Sequence, residues 1–228
     1  MDLVILRETV FLSLKIGLLA TLFNLPAALA GAYFLDRVLV RNRSIIEGII
    51  NLPLVMPPVT TGYLLLILLG KRGLFGSFLY RITGYSIAYS WTAAVLASMV
   101  VSFPLLIRSI RTSLDMVDRR FEYAAMTLGA GRFDLFVRVS LPLIIPGIIN
   151  GLVLGFARSL GEFGATVTFA GNIQGETRTI PLSVYSLLQI PGKENEAGLL
   201  VLISIVISFG ALFLSSIING RVHHGSGI

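Results

Sequence analysis

Long apolar runs separated by short charged clusters organise this chain. Residues 16–35, 48–70, 82–107, 139–157 and 197–220 carry no Asp, Glu, Lys or Arg, and the fourth run has room to continue past Arg158 and Glu162. A hydrocarbon layer about 30 Å thick takes roughly 20 residues of helix at 1.5 Å each. Each of these five runs is therefore expected to cross a bilayer as a helix. Backbone groups in lipid must bond within the segment, and the alternating strands of about ten residues that a barrel needs are not visible. The fold class expected is all-α: a polytopic membrane protein of about five transmembrane helices in the lipid bilayer.

The charged positions set the orientation. With the N-terminus outside, the inner segments hold ten basic residues: Arg37, Arg41, Arg43, Arg108, Arg111, Arg119, Arg120, Arg132, Arg138 and Arg221. The outer segments hold seven, Arg7, Lys15, Lys71, Arg72, Arg81, Arg178 and Lys193, so the excess of positive charge inside favours N-out/C-in. Ala28-Leu29-Ala30 resembles a signal-peptidase site. The apolar stretch before it is long and the start is not net basic, so the first span is expected to stay uncleaved. The inner loop 108–138 sets six Arg against Asp115, Asp118, Glu122 and Asp134 and is expected to be structured, whereas residues from His223 onward read as a frayed tail. Residues 1–228 are read as a single transmembrane domain.

Composition narrows the function. The 228 residues are 55% hydrophobic and 13% charged, and the mean hydropathy of +0.86 excludes an ordinary soluble domain. A net charge of +6 would point to nucleic acid in a soluble protein; here the cations lie between apolar runs, so they read as topology signals and no nucleic-acid partner is expected. With no Cys and only His223 and His224, no metal site and no cofactor are expected. Gly129-Ala130-Gly131 lacks the spacing of a nucleotide-binding glycine loop, and no catalytic constellation is evident, so the chain is not expected to be an enzyme.

The inner loop contains Phe121-Glu122-Tyr123-Ala124-Ala125-Met126-Thr127-Leu128-Gly129, followed later by Val139-Ser140-Leu141-Pro142. Its first part favours helix, and Gly129 is placed to end that helix with a left-handed turn. Small Ala side chains on one face would let another protein's groove approach closely. This spacing of Ala124-Ala125, Gly129, Val139 and Leu141-Pro142 resembles the "EAA" cytoplasmic coupling loop (about residues 108–141 here) of ABC importer permeases, which fits like a ball into a socket of the ATP-binding subunit. The family's Glu position is Tyr123 here, with Glu122 one residue earlier, which puts that residue's usual salt bridge in doubt.

The resemblance narrows with the stretches 52–59, 62–66, 156–166 and 171–181, which together are similar to the permease subunit of bacterial molybdate ABC transporters over roughly residues 9–218. It implies the type I, MetI-like permease fold, in the bacterial cytoplasmic (inner) membrane. It further implies a second copy of the chain, two ATP-binding subunits, an extracytoplasmic molybdate-binding protein and an oxyanion substrate moved by alternating access. Relatives that carry tungstate, sulfate or thiosulfate share parts of these motifs and supply the alternatives. A secondary transporter would explain the apolar runs but gives no reason for the Ala124 to Pro142 spacing.

Several residues could line a path. Pro53, Pro57 and Pro58 remove backbone donors and are expected to kink the second span. Two readings stand, a cavity wall where Thr60 and Thr61 offer hydroxyls to a passing anion, or a static kink packed by neighbours. Arg158 and Glu162, four apart across Ser159 and Gly161, are expected to pair on one helical face. Either Arg158 attracts the oxyanion while Glu162 keeps it from being trapped, or the two tether the helix. Gly161 and Gly164 suit a moving joint, and Phe163 is either an apolar gate or ordinary packing. The polar outer segment 171–195 is where a binding protein could dock.

Overall fold

A computed structural model describes residues 3–38 and 43–225. Arg41 and Gly227, and the side chains of Arg37, Arg132, Arg221, His223 and His224, lie outside this description. Every regular element among the described residues is helical. Helix α1 (Leu3–Tyr33) runs into a π-helical turn, Phe34–Val38; α2 (Arg43–Val55), α3 (Pro58–Leu69), α4 (Gly76–Thr83) and α5 (Trp91–Met116) follow. Then come α6 (Arg119–Thr127), α7 (Arg132–Leu135), a second π turn (Phe136–Ser140) and α8 (Leu141–Leu143). The chain finishes with α9 (Ile145–Leu160), α10 (Gly164–Phe169), α11 (Ile180–Leu188) and α12 (Glu194–Gly225).

Helix α5 and the Glu194–Ile217 part of α12 are each long and apolar enough to cross a membrane. Two further crossings arise if each bent pair counts as one span: α2 with α3, bent by 109°, and Phe133–Leu143 with α9, bent by 68°. Helix α1 carries Arg7, Glu8 and Lys15 in its first half and no charge from Ile16 to Tyr33.

The expected second span is thus broken rather than kinked. Pro58 crowds the backbone before it and forces Pro57 out of the helical region, to φ −55° and ψ 130°. Pro58 then starts α3, where its missing N–H leaves nothing unpaired. Pro53 stays inside α2 without a break.

The third span also shifts. Gly84, in a left-handed conformation, stops α4, and the helix resumes only at Trp91 after the extended Ser90. It then continues to Met116, so Arg108 and Arg111 belong to a helix and not to a loop. In the expected fourth span, α9 starts at Ile145 and stops at Leu160, which leaves Glu162 beyond its end. The outer segment expected to be a polar loop contains α11, whose Ile180 and Leu182 are buried. The expected frayed tail is helical through Gly225.

Small residues hold the bundle together. Gly147, Gly151 and Gly155 recur every fourth residue along α9 and face α5: a Cβ at Gly147 would run into Ser113 Oγ, and one at Gly155 would lie 3.1 Å from Leu106 Cδ1. Such close approach replaces the hydrophobic drive that lipid cannot supply. Asn24 of α1 donates to Met99 O (2.9 Å) and to Ser102 Oγ (3.2 Å) on α5, and Ser109 Oγ donates to Gly147 O at 2.9 Å.

The bundle has two distinct ends. At one, where α1 ends and α2 begins, Arg43 lies 3.9 Å from Asp36 and 2.7 Å from Glu47, and Arg111 lies 2.9 Å from the same Glu47. Tyr33 meets Phe136 edge-on there, with ring centroids 4.9 Å apart. At the other end Lys15 sits 4.0 Å over the Trp91 ring, and the Ile180 N–H donates to Ser13 Oγ at 2.7 Å.

Candidate coupling loop and translocation path

Asp118 caps α6 by accepting the Arg120 N–H at 2.9 Å. At the far end Gly129 takes φ +88°, and its N–H reaches Met126 O while the Ala130 N–H reaches Ala125 O, both at 3.0 Å. This pair of bonds is a Schellman cap, which satisfies carbonyls the helix would otherwise leave open and turns the chain sharply. Glycine adopts that φ without the cost a Cβ would add.

The helix then shows its two faces clearly. Glu122 is buried and accepts from Ser140 Oγ at 3.2 Å, tying α6 to the second π turn. Tyr123, Met126 and Leu128 point outward, 60%, 55% and 89% exposed. Ala124 is exposed with them, whereas Ala125 is half-buried. Val139 and Leu141 lie half inside beside the buried Ser140, and Pro142 is exposed. The inward carboxylate of this motif is therefore Glu122, and Tyr123 belongs to the outer face.

The second group of residues meets where α10, just past the end of α9, crosses the start of α3. A Cβ on Gly164 would lie 2.7 Å from Pro58 Cβ, and one on Gly62 would lie 2.6 Å from Ala165 O, so α10 and α3 cross with their backbones in contact. Thr61 and Ser159 are buried, and their hydroxyls have no hydrogen-bond partner among the described residues; Thr60 is exposed. Arg158 Nη1 lies 2.8 Å from Glu162 Oε2. Glu162 Oε1 accepts the Ala165 N–H at 2.8 Å, so one carboxylate both pairs with the end of α9 and caps the start of α10. The pairing expected on one helical face forms instead across a helix break.

Gly161 ends α9 with room for a Cβ, its nearest contact being 3.9 Å, so close packing explains Gly164 and not Gly161. Phe163 is half-buried against Tyr185, ring centroids 5.2 Å apart. Gly62 escaped the sequence reading, as did the network of Asp36, Arg43, Glu47 and Arg111. The four-residue spacing of Arg43 and Glu47 was the available signal for the latter.

The chain matches, over residues 16–224, the family described as binding-protein-dependent transport system inner membrane component. It is 51% identical over 208 residues to the molybdenum transport system permease protein ModB of Escherichia coli (strain K12), covering 91% of each chain. Its identity to the ModB protein of Haemophilus influenzae is 49% over 211 residues, 92% of each chain. In fold it is similar to a chain of the bacterial alginate ABC transporter solved with an alginate pentasaccharide-bound periplasmic protein, with a TM-score of 0.74 at 16% identity, covering 95% of this chain and 78% of that one. With the match running through all the spans and both groups of residues above, this chain belongs to the family of inner-membrane components of binding-protein-dependent transport systems.

Proposed function

We propose that the chain is the permease subunit of an ATP-driven molybdate importer in the bacterial cytoplasmic membrane. Two copies form the path, with five spans each, N-out/C-in; α1 supplies the fifth crossing beside the four counted above. Two copies of a separate ATP-binding subunit hydrolyse ATP, and an extracytoplasmic molybdate-binding protein delivers the ion. The half-identity to molybdenum permeases supports the substrate.

The observation that carries the mechanism is α6, a capped helix with an exposed Tyr123, Met126 and Leu128 and an inward tie from Glu122 to Ser140. A socket in the ATP-binding subunit would grip the outer face. The tie passes motion to the second π turn and α8, which lead into α9 across the 68° bend. The far end of α9 is the break where α10 crosses α3. Closure of the ATP-binding subunits thus tilts α9 and moves that crossing. At the crossing Arg158, a planar multi-donor cation held by Glu162 on one side, suits weak contact with a tetrahedral dianion.

ATP hydrolysis by the chain in liposomes, with its ATP-binding subunit and binding protein, tests this reading. Stimulation by molybdate and not by sulfate is expected. Stimulation by sulfate alone would keep the mechanism and replace the ion, and failure of the folded chain to bind the ATP-binding subunit would overturn the coupling role.

A further inference from the structure

A cavity of about 780 Å³ opens between α5, α9 and α12, away from both groups of residues above. Its polar side holds Arg108, Ser113 and Ser216, whose side chains make no hydrogen bond or ion pair among the described residues. Neighbouring hydroxyls are already committed, Ser109 to Gly147 O, Thr112 to Arg108 O and Ser215 to Asn150 Oδ1. Three donors without an acceptor among the described residues therefore line one cavity, one of them a permanent cation, and no carboxylate lines it. Arg108 also edges a neighbouring pocket that contains Glu47 and Asp115, yet it pairs with neither. The same cavity has an apolar lining that includes Leu105, Val153 and Leu212.

Depth adds to the chemistry. At 1.5 Å per residue, Arg108 lies about 25 Å along α5 from Trp91, and Ser216 about 33 Å along α12 from Glu194. Both fall at the edge of a hydrocarbon layer about 30 Å thick, at the end of the bundle that carries Arg43 and Arg111. A small free anion would fill the polar side and leave three aliphatic side chains facing water. A phospholipid satisfies both sides, its phosphate on the donors and an acyl chain along the aliphatic wall.

We propose that this wedge is a binding site for one anionic phospholipid of the cytoplasmic leaflet, the headgroup phosphate seated on Arg108, Ser113 and Ser216; the choice of leaflet rests on the orientation proposed above. The full chain is placed in phosphatidylethanolamine vesicles containing a minor fraction of phosphatidylglycerol that carries a photoreactive acyl chain. Labelling is expected on the peptides around Leu105, Val153 and Leu212, and Arg108→Gln is expected to reduce it about fivefold, while Arg81→Gln leaves it unchanged. Labelling of the unaltered chain only elsewhere, or equal labelling by photoreactive phosphatidylethanolamine, would overturn the proposal without the use of any variant. So would loss of labelling when free molybdate or sulfate is added at constant ionic strength, which would identify the pocket as a free-oxyanion site. The readout needs neither the ATP-binding subunit nor transport, so its failure leaves the importer reading intact.

Discussion

Arg158 keeps 29% of its side chain exposed while Glu162 keeps 1%, and the two lie 2.8 Å apart. The pair is therefore asymmetric under mutation. Arg158→Gln strands a buried carboxylate and is expected to cost about 3 kcal/mol. Glu162→Gln leaves Arg158 able to reach water and keeps an oxygen for the Ala165 N–H, so about 1 kcal/mol is expected. Thermal unfolding of the two variants in detergent checks the order, and equal losses would mean the carboxylate is not held by Arg158. Gly129 acts through its backbone. At φ +88° a β-branched residue costs about 1–3 kcal/mol locally. Gly129→Val is thus expected to leave the spans folded while molybdate-stimulated ATP hydrolysis falls to the basal rate. Gly131→Ala, whose Cβ would meet only Asp134 at 4.0 Å, should behave as the parent. Normal stimulation in Gly129→Val would remove the Schellman turn from coupling.

At the scale of elements, the crossing of α3 and α10 has no slack. A Cβ on Gly62 would meet Ala165 O at 2.6 Å and Ala165 Cα at 2.8 Å, both backbone atoms that cannot swing away. Gly62→Leu is expected to push the helices apart at a cost of about 1–3 kcal/mol and to lower molybdate uptake at least tenfold. Gly48→Ala, with nothing within 4 Å, serves as the tolerated comparison. Uptake assays in cells with matched membrane levels decide it. What the sequence made legible follows from which forces it displays. Runs of apolar residues revealed the long apolar helices, and Gly129 revealed the end of α6, because burial and backbone freedom are written in residue type. Element ends were less visible: residues 82–107 are all uncharged, yet Gly84 and Ser90 divide them by backbone conformation, to which a hydropathy pattern is blind. The Arg158 and Glu162 spacing was visible but the helix break between them was not, since the chain leaves the helix after Leu160 by backbone conformation, which residue spacing does not show. The inward turn of Glu122 likewise needed Ser140, 18 residues away, to be seen.

For the whole molecule, the decisive feature is a break that this single chain leaves open. Pro57, Pro58 and Val59 are exposed at the 109° bend between α2 and α3, and α2 buries none of its residues. Non-helical backbone at membrane depth is tolerated only against protein or along water, because lipid offers no partner for the carbonyls that prolines set free. The bend must then face a second copy or the aqueous path between copies, which is the arrangement alternating access requires. Helix α1 is the contrast, since Leu22 is 57% exposed on a helix that runs on through Pro26 without a break and can face lipid. The chain contains no Cys, so single replacements report without background. A charged thiol reagent attacks the thiolate, which forms in water and is suppressed in apolar surroundings. Val59→Cys in the assembled transporter is accordingly expected to react about tenfold or more faster than Leu22→Cys, and ATP together with molybdate should change the Val59→Cys rate while leaving the other unmoved. Equal slow rates at both positions would place the bend in lipid, contradict the two-copy path, and leave the 109° break without the partner its backbone needs.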